Sequence, residues 1–233
     1  MTPEILAALV AARRKRQPAV LATRLPDGAQ RLLAAPFATD GLAQAAVAAL
    51  HQQQSRTASL ADGIWLLEVH APPPRLFVIG AVHIAQVLVP VAAAVGFTVT
   101  VIDPRQAFAT AERFPEAALS VEWPDEAFDA LAPDRQTAVV ALSHDPKLDD
   151  PALDRALRSE AFYIGALGSR KNHAERLRRL ADLGHDAMTL ARIHGPAGLA
   201  IGAVTAPEIA LSIAAELVAA WRGSPLARRP RPE

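Results

Sequence analysis

One stretch constrains the fold more than any other: Arg75-Leu76-Phe77-Val78-Ile79-Gly80-Ala81-Val82-His83-Ile84-Ala85. Its apolar run does not alternate with polar residues, which suits a strand buried on both faces of a parallel sheet. The run stops at Gly80, and a helical pattern begins within three residues. A strand that turns through glycine into a helix opens a nucleotide-binding α/β unit, because the first N–H groups of the helix can hold a phosphate there. From this point strands and helices alternate to about residue 222. That alternation predicts a Rossmann-like parallel sheet with helices on both faces. Strands are expected at 76–80, 97–102, 119–122, 137–142 and 162–167, in the spatial order 3-2-1-4-5. The first helix should turn Ile84, Val87, Leu88, Val91 and Val95 inward, and Pro90 should bend it or cost it a hydrogen bond. A second helix is expected from an Asp150 cap with Pro151 at its first position, and a third from Ser169 to about 183. Residues 193–202 hold too much glycine for a helix, and Thr205-Ala206-Pro207-Glu208 is a capping box opening the last helix.

Upstream, Thr2 caps a short helix with Pro3 at its first position, and Arg13-Arg14-Lys15-Arg16 closes it. Strands at 18–24, 29–35 and 64–69, with an Ala-rich helix from Asp40-Gly41, read as a small α+β domain over residues 1–70. Ala71-Pro72-Pro73-Pro74 is a stiff linker, since proline fixes φ and donates no backbone hydrogen bond. The Rossmann-like domain then covers 75–222, and residues 223–233 are expected to be a disordered tail.

Composition excludes several functions. There is no cysteine, so disulfides, Cys metal sites and a Cys nucleophile are out. Formal net charge is zero, which argues against a nucleic-acid partner. The opening Met1-Thr2-Pro3-Glu4 lacks a basic lead into an apolar run, and the apolar stretches near 84–95 and 209–221 are too short or interrupted to span a bilayer. A cytoplasmic protein without a membrane span is expected.

Four places carry chemistry. Gly80-Ala81-Val82-His83-Ile84-Ala85 follows the dinucleotide fingerprint with Val82 where the second glycine belongs, and Asp103 lies where a ribose-binding acid would. Val82 weakens the case for NAD or NADP, because that glycine lets a pyrophosphate approach the backbone. His83 and His144 should lie side by side where the first and fourth strands meet, with Asp145 beside them. Neutral imidazoles there could bind a metal, hold a ligand or move a proton, or merely cap loops; no metal ligand set is defined. Gly168-Ser169-Arg170-Lys171 opens a helix with a hydroxyl and two cations, an anion pocket that runs against the usual preference for acids in a first turn. His194-Gly195 starts the glycine-rich loop, whose glycines serve either close ligand approach or packing. Asp149-Asp150 is more simply a helix cap than a carboxylate pair.

Taken together, Phe77 to His83, Phe108-Ala109-Thr110 with Arg113-Phe114-Pro115, Ser143-His144-Asp145-Pro146-Lys147-Leu148-Asp149-Asp150, Ala161 to Arg170, and Ile193-His194-Gly195-Pro196 through Ile201-Gly202-Ala203 resemble the XdhC/CoxI family. These are accessory proteins of molybdenum hydroxylases such as xanthine dehydrogenase, and the likeness covers about residues 75–222. It implies a chaperone that binds molybdenum cofactor, as molybdopterin or its dinucleotide form, and aids its sulfuration and insertion into the apo-enzyme. A cysteine desulfurase and a homodimer are further implied partners. Arg170 and Lys171 would hold the cofactor phosphate, and His83 and His144 its pterin or metal end. Two departures stand out. Val82 replaces a glycine, and the region around 32–41 lacks the glycine-rich, cysteine-ending segment usual in the family. A nicotinamide-dependent oxidoreductase, with Asp103 on the ribose and a histidine as acid or base, and a nucleotide-sensing regulatory module are the alternatives.

Overall fold

In a computed structural model, which describes residues 1–227, the chain divides into two compact units, Met1–Pro72 and Pro73–Glu233. The first contains α1 (Pro3–Arg14), β1 (Ala19–Arg24), β2 (Gln30–Ala34), α2 (Gly41–Gln52), β3 (Arg56–Leu60) and β4 (Gly63–His70). The strands form an antiparallel sheet in the order β2-β1-β4-β3. Thr2 and Asp40 cap the two helices by accepting from Ile5 and Ala43 N–H groups. Alternate residues of the sheet (Val20, Ala22, Trp65, Leu67) pack on Leu42, Ala46 and Ala49 of α2. Strand β3 is not among the expected elements. Its sequence, Arg-Thr-Ala-Ser-Leu, is mostly polar because it lies at a sheet edge, paired on one side only.

The second unit carries a six-stranded parallel sheet, among the described residues, in the order β10-β9-β8-β5-β6-β7. Its elements are β5 (Arg75–Ile79), α3 (His83–Ala94), β6 (Thr98–Ile102), β7 (Ala118–Ser120), α4 (Pro124–Leu131), β8 (Thr137–Ala141), α5 (Pro146–Arg158), β9 (Tyr163–Ala166), α6 (Arg170–Asp182), the one-turn α7 (Ala187–Leu190), β10 (Ile193–His194) and α8 (Ala206–Trp221). The expected order is present, with β10 added beyond the fifth strand. Successive strand residues alternate between two cores. Leu76, Val78, Val99, Val101 and Val140 face α3 and α8. Phe77, Ile79, Ile102, Val139 and Ile164 face α4, α5 and α6.

Four expectations need correction. Helix α3 buries Ala85, Leu88, Val89 and Ala92, while Val95 is exposed. Ile84, Val87 and Val91 are half-buried and still pack against this core, so of the expected face Val95 is the residue that leaves it. Helix α5 starts at Pro146 with Asp145 as its cap, so Pro151 lies inside it. Two Asp-Pro dipeptides compete for the helix start, and the earlier one carries Leu148, Ala152 and Leu153 into the core. Part of the glycine-rich segment is strand β10, paired with β9. Pro225–Ala227 forms one 3-10 turn of the segment expected as a disordered tail, and residues 228–233 of that segment lie outside the described residues. Helices α4 and α7 are additions to the expected elements.

Candidate functional site

The C-terminal ends of the parallel strands deliver every residue singled out in this unit to one edge of the sheet, where open α/β folds bind ligands. At the first turn, Gly80 has φ +98 and its N–H donates to the Ile102 carbonyl at 2.9 Å. A Cβ on Gly80 would stand 2.9 Å from the Ser143 Cβ, so glycine is what allows the turns after β5 and β8 to touch. Val82 occupies the N-cap position of α3 without a side-chain cap bond and packs against the hydrophobic cluster. His83 and His144 are both exposed, one opening α3 and the other in the turn after β8, and so follow the paired strands β5 and β8. His144 sits at φ +62.

Asp103 is fully buried, and its oxygens are occupied. Oδ2 accepts from Ala81 N–H at 2.8 Å and from Arg105 Nη2 at 2.7 Å; Oδ1 accepts from Arg105 N–H at 3.0 Å and from Arg105 Nε at 2.8 Å. A carboxylate has about four acceptor sites, and all four are taken. Burial pushes this carboxyl up, but the Arg105 and Ala81 hydrogen bonds outweigh it and hold it below the usual range. Asp103 therefore ties the end of β6 to the Gly80 turn. Asp145, near enough to Arg105 to raise its pKa slightly further, accepts from Lys147 N–H at 2.9 Å as the α5 cap.

Next along the edge, Ser143 Oγ accepts from Asp145 N–H at 3.1 Å and donates to Asp149 Oδ1 at 2.6 Å. Asp149 is 2% exposed, and burial raises its pKa against the opposing pull of Ser143, Arg176 and His144. The buried Arg176 donates from Nη2 to the Leu167 carbonyl at 2.9 Å and stands 3.4 Å from Asp149 Oδ2. Above it runs the turn Leu167-Gly168-Ser169, where Ser169 caps α6 by accepting from Asn172 N–H at 3.1 Å. The first turn of α6 has no acid, and Arg170 and Lys171 are exposed. Neither makes an ion pair among the described residues. The helix start expected to hold an anion is thus capped by Ser169 and carries two exposed cations.

At the last strands, Glu216 of α8 is fully buried, and Tyr163, Gly198 and His194 converge on it. Tyr163 Oη donates to it at 2.5 Å, Gly198 N–H at 2.7 Å, and His194 Nδ1 lies 3.1 Å away. Burial pushes the Glu216 carboxyl up, and these contacts bring it below its ordinary value. The His194 ring lies 4.6 Å from that of Tyr163 and stays partly exposed. His173, in the first turn of α6, lies against Gly195.

Residues 76–217 match the family described as the XdhC Rossmann domain. The chain belongs to this family. Among curated relatives, the Escherichia coli K12 uncharacterized protein YqeB is 32% identical over 163 residues, covering 68% of this chain and 29% of that protein. The E. coli K12 molybdenum cofactor insertion chaperone PaoD is 32% identical over 146 residues, covering 63% and 40%. A probable xanthine dehydrogenase component of Bacillus subtilis 168 is 33% identical over 148 residues, covering 63% and 43%. The chain thus spans less than half the length of these relatives. A crystal structure of a xanthine dehydrogenase from Bacillus halodurans shares the fold, with TM-score 0.60 and 21% identity over 97% of this chain and 98% of that one. Both units of the chain therefore have a counterpart fold.

No group of three or more His, Asp or Glu among the described residues is placed to hold a metal ion, and no described helix is long and apolar enough to cross a membrane. Arg176, Ser143, Arg105 and Glu216 escaped the sequence reading. Arg176 and Glu216 did leave a signal. Each is a charged residue on the apolar stripe of its helix, Arg176 four residues before the buried Leu180 and Glu216 three after the buried Ile213.

Proposed function

We propose that this protein binds molybdenum cofactor and passes it to an apo-molybdenum hydroxylase of the xanthine dehydrogenase type. The observation that carries the reading is the start of α6. It is an acid-free first turn with a serine cap and two exposed cations that make no ion pair among the described residues, beside a buried guanidinium. Helix N–H groups and cations suit the phosphate that every form of this cofactor bears. Gly168, Ser169, Arg170 and Lys171 would hold that phosphate. Gly80, His83, His144 and Asp145 line the neighbouring turns, where the pterin end would lie, and His194-Gly195 borders the far side. Family membership and the name of the relative PaoD support the same cargo. A cytoplasmic client and a desulfurase supplying sulfur fit this role, as does a dimer.

Nicotinamide binding has less support. Asp103 keeps no acceptor for a ribose hydroxyl, and Val82 lacks the freedom of the fingerprint glycine. Anaerobic calorimetry with purified cofactor tests the proposal. The Arg170→Ala/Lys171→Ala double variant should bind about 10-fold or more weakly, given the usual strength of charge-assisted hydrogen bonds. Its melting temperature should not fall, since both side chains are exposed. Equal affinity in wild type and double variant would contradict the reading.

A further inference from the structure

Arg176 is 4% exposed, yet its Nε and Nη1 are buried without a hydrogen-bond partner among the described residues. Of five guanidinium N–H groups, only those on Nη2 are used. Buried donors left unmade are costly, and more so on a charged group. Its one carboxylate among the described residues, Asp149, is a poor partner. The Nη2–Oδ2 separation of 3.4 Å exceeds that of a good charge-assisted bond, and Asp149 is engaged at 2.6 Å by Ser143. The guanidinium lies against the turn that opens α6. A Cβ on Gly168 would stand 3.8 Å from Nη2 and 3.9 Å from Nη1, so any side chain there would lie on it. Gly168 also has φ +140, which L side chains rarely adopt. The guanidinium is thus buried under the Gly168 turn with no side chain at Gly168 between them, just before the capped start of α6.

We propose that Arg176 is the inner guanidinium of a phosphate site whose outer wall is Gly168, Ser169 and the first turn of α6, and that an arriving phosphate draws it away from Asp149. The proposal deepens the reading of this turn as the seat of the cofactor phosphate and rests on it for the identity of the ligand. Asp149 acts as a resident competitor: it holds the guanidinium weakly while the site is empty and opposes the anion by its charge.

Full-length protein titrated with inorganic phosphate at constant ionic strength, with chloride as the balancing salt, tests this directly. Wild type should saturate, and Arg176→Lys should bind about 10-fold more weakly, because lysine cannot reproduce the fork of donors. Asp149→Asn should bind phosphate several-fold more tightly, and phosphate should raise its melting temperature more than that of wild type. Folded Arg176→Lys with unchanged affinity, or Asp149→Asn with equal or weaker affinity, overturns the site. So does a wild type that does not saturate at millimolar phosphate. If Arg176→Lys does not fold, the Asp149→Asn comparison decides alone. Phosphate bound through Arg176 without any uptake of molybdenum cofactor would keep this site and remove the chaperone reading. Cofactor bound equally by wild type and Arg176→Lys would do the reverse.

Discussion

Four donors converge on Asp103, three from Arg105 and one from the amide of Ala81. Their sum decides the shape of the Gly80 turn, since Ala81 N–H has a fixed acceptor before any ligand arrives. Asp103→Asn should therefore lose about 2–3 kcal/mol of stability at neutral pH in urea unfolding. The sign of the pH dependence follows from the depressed carboxyl. Its contribution is complete above the unfolded value near 3.9 and disappears as pH falls through the lower folded value. The gap between wild type and variant should accordingly close in acid. A gap that stays constant from pH 7 to pH 2 would show that the charge is not what matters. Asp149 has the opposite sign: its raised carboxyl makes folding favour the protonated form, and that contribution is lost as pH rises through the folded value.

Helix α8 shows what an element contributes beyond burial. Ala210, Ile213, Ala214 and Leu217 pack on α3, while Glu216 reaches through the same face to Tyr163, His194 and Gly198. It fixes the loop after β10 to β9. Glu216→Gln should cost about 2–4 kcal/mol, as for a buried charged acceptor removed from its donors. It should also release the Gly198 amide to hydrogen exchange, whereas simple core loosening would deprotect β9 equally. This network was not legible in the sequence, because a charged residue on an apolar stripe does not reveal its partners 18 and 53 residues away. Strands β5, β8 and β9 were legible as mainly apolar runs buried on both faces, and β6 as a β-branched Thr-Val-Thr-Val-Ile run after Phe97. The start of α5 was not, because Asp145-Pro146 and Asp150-Pro151 carry the same capping signal and only packing chooses between them. The capped start of α6 was visible as Gly-Ser-Arg-Lys, yet Arg176, seven residues beyond Ser169, becomes part of it only through two helical turns.

At the scale of the molecule, the residues of the candidate site belong to the second unit, whose sheet, two cores and loop edge are complete within it. A fragment beginning at Pro73 should thus fold cooperatively by itself and keep the phosphate and cofactor affinity of the full chain within about threefold, a shift below about 1 kcal/mol. An insoluble or non-binding fragment would show that the first unit completes the site. The first unit lacks any cysteine, so sulfur cannot be carried by a protein thiol here. The most direct measurement is reconstitution: apo-xanthine dehydrogenase incubated anaerobically with molybdenum cofactor, with and without stoichiometric full-length protein, and assayed for bound molybdenum and activity. Loading should be faster and more complete with wild-type protein and fall to the unassisted level with Arg170→Ala/Lys171→Ala. Identical loading with and without the protein, at concentrations where it binds cofactor, would contradict delivery as its function.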